Sequence, residues 1–192
     1  MQFVFVLQLV SMLLMPQTVS TLTTGCEVAN WLHSMDVQGW SVCRYDRFIK
    51  AFNRSEQQPD YDPILLLEEA ECCPATIPRY NSAPYTVTCL TANWQYTLDG
   101  DNVWALCPSG YYLSGLYISM GVMLMDIERA RCCRPQQHPD RYGDCYDEDV
   151  STSFDSKGWS ECARAGYLMT GFYKGNCDFL HCIEKFRCCS MI

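Results

Sequence analysis

Fourteen cysteines, twelve of them set in a spacing that recurs three times, restrict this chain more than any other feature does. An opening cysteine is followed by 16, 17 and 16 residues and then a second cysteine. After 28, 24 and 25 further residues a vicinal pair closes each copy. The copies are Cys26, Cys43, Cys72 and Cys73; Cys89, Cys107, Cys132 and Cys133; and Cys145, Cys162, Cys188 and Cys189. Self-similarity of this kind marks a repeat architecture, here divided as 21–80, 81–138 and 139–192.

The side chains repeat with the cysteines. Trp40, Trp104 and Trp159 each stand three residues before the second cysteine, behind turn-like strings such as Asp36-Val37-Gln38-Gly39 and Asp155-Ser156-Lys157-Gly158. Aromatic-rich runs follow: Arg47 to Asn53, Tyr111 to Tyr117 and Gly166 to Tyr173. Runs of that composition suit strands. A last segment in each copy, such as Ile127-Glu128-Arg129-Ala130-Arg131, leads directly into the paired cysteines. Three strands per repeat is the simplest account, and the proline-rich stretches 74–80 and 135–140 read as linkers or surface loops. Repeat 1 diverges most, because it lacks counterparts of Gly110 and Gly115.

Neighbouring residues on a strand point to opposite faces, so the two members of a vicinal pair should reach different partners. The first and second cysteines of each repeat are therefore expected to bridge to its terminal pair. Cys177 and Cys182, found only in repeat 3, would close a local seventh bond. An even count at recurring spacing points to an oxidising compartment. Zinc is the rival use of such cysteines, but no C-x-x-C knuckle is present, and no metal or cofactor is expected. His33, His138 and His181 sit in unrelated contexts and read as surface residues.

Secretion is also suggested by the first residues, where Phe3 to Met15 is almost wholly apolar and the first charged side chain is Glu27. That pattern reads as a signal peptide over residues 1–20, too short for a membrane span. Asn53-Arg54-Ser55 is then a usable glycosylation acceptor. A net charge of −8 without a basic cluster argues against nucleic acid as a partner. No esterase elbow, H-E-x-x-H helix, phosphate loop or redox C-x-x-C appears, and an enzyme is not expected. Asp99-Gly100-Asp101-Asn102 is read as a turn, since Gly110 occupies the place where an EF-hand needs a glutamate.

Two sets of recurring residues are structural anchors on this reading. Trp40, Trp104 and Trp159 are expected in the core against disulfides rather than as exposed sugar platforms. Glu68, Glu128 and Glu184, four residues before each cysteine pair, are expected to accept hydrogen bonds from backbone or tryptophan N–H groups.

The repeats resemble those of the dermatopontin family of secreted, tyrosine-rich, acidic matrix proteins. Repeat 2 carries the likeness as Trp104, Cys107-Pro108-Ser109-Gly110, Gly115 and Cys132-Cys133; repeat 3 carries it as Trp159, Cys162, Gly166, Gly171 and Cys188-Cys189. Where that family has an Asp-Arg-Glu-Trp-like string, this chain reads Asp126-Ile127-Glu128-Arg129 and Cys182-Ile183-Glu184-Lys185. The resemblance implies matrix adhesion with collagen or proteoglycan contacts, or agglutinin and shell-matrix roles. No partner carries over to a particular residue.

The expectation is thus an all-β, disulfide-rich protein of three pseudo-repeats, either one trefoil-like body or three small antiparallel sheets. Its expected role is a secreted, non-enzymatic matrix or adhesive protein meeting extracellular proteins or glycans. A lectin-like agglutinin using three copies for avidity is the alternative, and a toxin or defence component a more distant one.

Overall fold

A computed structural model describes residues 25–57, 61–80 and 86–192. The expected signal peptide lies outside these residues. The fold is all-β, and each repeat supplies four strands rather than the three expected. Repeat 1 gives β1 (Glu27–Asn30), β2 (Gly39–Val42), β3 (Phe48–Arg54) and β4 (Leu67–Cys73). Repeat 2 gives β5 (Val87–Asn93), β6 (Val103–Leu106), β7 (Tyr112–Ile118) and β8 (Ile127–Pro135), with one helical turn, α1 (Gln95–Leu98). Repeat 3 gives β9 (Cys145–Asp149), β10 (Gly158–Glu161), β11 (Tyr167–Lys174) and β12 (Ile183–Ser190).

The additional strand is the one at the opening cysteine, as β1, β5 and β9; the strand bearing the recurrent tryptophan does not stay at home. The sheets run β1-β4-β3-β10, β5-β8-β7-β2 and β9-β12-β11-β6, all antiparallel. Repeat 1 thus lends β2 to the sheet of repeat 2, repeat 2 lends β6 to repeat 3, and repeat 3 lends β10 back to repeat 1. The exchange closes on itself in a pseudo-threefold circle. No repeat can complete its sheet alone.

The vicinal cysteines fix this arrangement. The second member of each pair joins the opening cysteine across adjacent strands, as Cys26–Cys73, Cys89–Cys133 and Cys145–Cys189. The first member joins the second cysteine, as Cys43–Cys72, Cys107–Cys132 and Cys162–Cys188. Because Cys43, Cys107 and Cys162 follow the lent strands directly, these three bonds tie each lent strand back to its own repeat. They are local in sequence and bridge two sheets in space. Close approach of the lent strand needs room: a Cβ on Gly171 would stand 2.0 Å from Ala105 O, and one on Gly115 2.7 Å from Ser41 O.

One core joins the three sheets. Strands β3, β7 and β11 pack on one another around the pseudo-axis, burying Ile49, Phe52, Leu113, Leu116, Met169 and Phe172. The core tryptophans are Trp31 and Trp94, five residues after each opening cysteine, each 2% exposed. Repeat 3 has Val150 at that place, and the volume is restored one turn later, where Phe154 replaces the Met35 and Leu98 of the other repeats. Interiors are packed to crystal density, so such substitutions are coupled in volume.

The two ends of the axis are closed differently. At one, backbone N–H groups donate in a ring, Ile64 to Val122 O (2.8 Å), Leu124 to Asp178 O (2.7 Å) and Leu180 to Asp62 O (2.8 Å). At the other, Phe48, Tyr112 and Leu168 form a second cluster with Cys73, Cys133 and Cys189 and with linker residues Ala75 and Tyr80. The linkers there are packed rather than loose. His138, expected on the surface, is 2% exposed at this end, beside Tyr80 and Tyr112. The reason is that its ring is satisfied by the chain itself: Nδ1 donates to Pro139 O at 2.9 Å and Nε2 accepts from Ile192 N at 3.4 Å. His33 is exposed, and His181 is half-buried.

Candidate functional site

The recurrent tryptophans are not core anchors. Trp40 is 38% exposed and Trp159 44%, and Trp104 is half-buried. Side chains alternate across a strand, and in β2, β6 and β10 the inward place goes to Ser41, Ala105 and Ser160. The tryptophans therefore stand on the outer faces of the sheets, one per sheet. What surrounds each of them differs.

On the sheet of repeat 2, Trp40 meets Tyr117 edge-on at 5.3 Å, and the Tyr117 hydroxyl accepts from Gln38 Nε2 at 3.1 Å. Arg129 lies 5.0 Å from the Tyr117 ring and Arg131 5.8 Å from that of Tyr45, which is 60% exposed. Among the described residues no carboxylate forms an ion pair with either guanidinium. A groove of about 510 Å³ opens here, lined by Trp40, Val42, Cys89, Leu90, Thr91 and Arg131.

The sheet of repeat 3 carries the same parts in a closed form. Trp104 packs on Tyr173 at 5.3 Å, but Arg187 lies across the indole at 4.5 Å and its guanidinium donates to Asp147. On the other face of β9, opposite Cys188, Tyr146 is held by Glu148 at 2.7 Å and by the Arg164 backbone at 3.0 Å, and burial pushes its phenol up to about 12. Where Arg131 of repeat 2 lines a groove with the Cys89 sulfur, at 3.8 Å, and the Tyr45 ring beside it, Arg187 of repeat 3 is committed to an internal ion pair.

The sheet of repeat 1 is acidic. Glu69 and Glu71 take the places of Arg129 and Arg131, and Glu161 takes that of Val42. Lys50 bridges Glu71, at 3.5 Å, and Glu161. A groove of about 420 Å³ is lined by Val28, Ala51, Glu71, Trp159 and Glu161. Asn53 replaces the tyrosine opposite Trp159, near the end of β3, and its amide donates to Glu69 at 2.7 Å.

The recurrent glutamates act through their main chains. The carbonyls of Glu68, Glu128 and Glu184 accept the backbone N–H of Trp31 (2.7 Å), Trp94 (2.7 Å) and Val150 (2.9 Å), while their side chains stay half-buried. The tryptophan N–H that finds an acceptor is Trp94 Nε1, on Leu106 O at 3.2 Å.

Scans against protein-family models, curated proteins and solved structures find no match. The likeness to dermatopontin stands on the repeat motifs alone.

Two clusters outside the faces were not expected from the sequence. Arg54 and Asp62 form a buried ion pair, each 1% exposed, and Arg54 also donates to Phe154 O at 2.8 Å. Lys174, fully buried, repeats this in repeat 3 with Asp178 and with Leu98 O at 2.8 Å. The only signal was a charge at one place in two strand runs that are otherwise apolar or aromatic there. The second cluster joins Asp62 to His181, 119 positions away.

Proposed function

We propose that this is a secreted, non-enzymatic adhesive protein that holds glycans on the outer faces of its sheets, with the Trp40 face of repeat 2 as the principal site. The observation that carries the reading is the outward placement of one tryptophan per sheet, with Trp40 next to a groove whose Arg131 has no carboxylate partner among the described residues. A half-exposed indole offers the apolar face of a sugar a broad surface at little cost in side-chain order. Thr91 adds a hydroxyl at the groove edge. Arg129 and Arg131 favour saccharides carrying a carboxylate or sulfate, which guanidinium binds in bidentate fashion. The chain's net charge of −8 opposes a long polyanion, so a short acidic unit presented on a surface fits better. The dermatopontin-like frame and the disulfide density agree with an extracellular setting.

The test is a glycan array with paired neutral and acidic saccharides, read with the wild-type protein, Trp40→Ala and Arg131→Ala. Trp40→Ala should weaken binding by about tenfold or more, and Arg131→Ala should remove the preference for acidic units. Binding that survives Trp40→Ala unchanged sinks the proposal.

A further inference from the structure

We propose that Cys177–Cys182 is a thiol–disulfide exchange site, opened by extracellular dithiols, with His181 as the proton-transferring residue. The three repeats supply an internal control. The turn that closes on Cys182, Leu180–Cys182, is also formed at Ile64–Leu66 and Leu124–Asp126, where the places of Cys177 and Cys182 are held by Tyr61 and Leu66 and by Gly121 and Asp126. The same backbone thus forms twice without a bond. The other six bonds recur as a framework, whereas this one spans only 5 positions and restrains little of the unfolded chain.

What is present only here is a base aimed at sulfur. His181 Nε2 lies 3.7 Å from Cys177 Sγ, and a ring nitrogen and both sulfurs fall within 4.8 Å of one another. His181 Nδ1 donates to the buried carboxylate of Asp62 at 2.8 Å, and the His181 backbone N–H donates to the same oxygen at 2.7 Å. That fixes the ring and leaves the Nε2 lone pair facing the sulfur. The groups facing the imidazole are Asp62, with Arg54 behind it, and Phe179 stacked at 5.7 Å; the nearest further charges on the same segment are Asp178 and its partner Lys174, which ends β11. Cys177 is half-buried and Cys182 is buried, so attack falls on Cys177.

In the step proposed, His181 Nε2 takes the proton of the first thiol. Its thiolate bonds to Cys177 Sγ as the S–S bond breaks, and Cys182 leaves as thiolate and takes the proton back from His181. The second thiol of the reagent then displaces Cys177, which is released as a thiol. The dithiol is oxidised to its disulfide, and Cys177 and Cys182 are each reduced.

The test treats the intact, fully oxidised protein with graded dithiothreitol, traps thiols with an alkylating reagent and maps them by mass spectrometry. Cys177 and Cys182 should be labelled before any framework cysteine. His181→Gln should slow that opening at pH 7 about tenfold or more and flatten its pH profile, with the melting temperature preserved. Cys177→Ala/Cys182→Ala should fold, as the turns of repeats 1 and 2 do. Opening no earlier than the framework bonds, an unchanged rate in His181→Gln, or a double variant that cannot fold would each overturn the assignment.

Discussion

The middle repeat and its two neighbours place different chemistry at equivalent positions. At the last residue of the central strand, repeats 1 and 3 have the cations Arg54 and Lys174, and repeat 2 has Ile118. In the ring of loops beside them, repeats 1 and 3 have Asp62 and Asp178, and repeat 2 has Val122. The molecule thus contains both an ion-pair version and an apolar version of one contact. Buried ion pairs recover their desolvation cost only with good geometry and further hydrogen bonds. Repeat 2 shows that the fold does not require them, so their presence in the other two points to specification of the loops around His181 and Asp178.

The sharpest way to break this comparison is to give repeat 1 half of the apolar version. Arg54→Ile leaves Asp62 buried with His181 as its remaining partner, and removal of one member of a buried pair costs about 3–5 kcal/mol. Lys174→Ile should cost clearly less, because the Asp178 side chain is 40% exposed and water can replace the lost ammonium. Lys174→Ile/Asp178→Val, which copies repeat 2, should lie within about 1.5 kcal/mol of wild type. Denaturant midpoints at constant m would measure all three. Equal losses for Arg54→Ile and Lys174→Ile would show that exposure of the partner does not decide the cost.

The outer faces extend the contrast to binding. Repeat 2 keeps its groove open, whereas Arg187 covers Trp104 and glutamates surround Trp159. On the proposed function, Trp40→Ala should weaken glycan binding by about tenfold or more, equivalent to about 1.4 kcal/mol, and Trp104→Ala and Trp159→Ala by less. Arg187→Ala should sharpen the comparison by uncovering Trp104 and giving the sheet of repeat 3 some of the repeat 2 behaviour. Titration of each variant with a single acidic saccharide would rank the faces. Raised salt should weaken the Trp40 face most, because exposed charges are screened beyond about 8 Å at physiological ionic strength.

These contrasts show where the sequence was informative. The cysteine spacing carried the repeat, its bonds to the vicinal pair and the all-β class, because bond geometry and strand alternation act over a few residues. It could not reveal strand lending, since pairing β2 with β7 involves residues such as Trp40 and Tyr117 that no local pattern links. The placement of the tryptophans depended on that missing fact: a strand's outward face is known only once its sheet is known. Trp31 and Trp94 did carry a signal, five residues after an opening cysteine, but Val150 interrupts it, and the compensating Phe154 shows only in three dimensions. The Asp62–His181 contact spans two repeats and had no sequence cue.

A smaller effect is expected at Asn53. A glycan there would stand opposite Trp159, where repeats 2 and 3 place tyrosine. Protein from a glycosylating host should carry added mass on the peptide containing Asn53, and enzymatic deglycosylation should increase acrylamide quenching of tryptophan fluorescence. Trp159→Phe should remove that increase. If deglycosylation leaves quenching unchanged, the sugar does not cover the indole, and the acidic face is open to solvent.

The smallest effect belongs to the opposite end of the axis, where repeat 2 alone buries a histidine. Burial holds the His138 pKa below its ordinary value, with Arg134 and Arg79 acting in the same direction. The folded protein therefore disfavours the imidazolium, and below about pH 6.5 the unfolded chain binds the proton more readily. Stability from this group is fully present above that pH and declines as the pH falls toward the lowered folded value. A melting curve series from pH 7.5 to 5 should show the decline. His138→Gln keeps an amide donor for Pro139 O and an acceptor for Ile192 N–H without a titrating proton, and should flatten the profile. An unchanged slope in that variant would move the effect to carboxylates elsewhere and leave the two ends of the molecule alike in their response to acid.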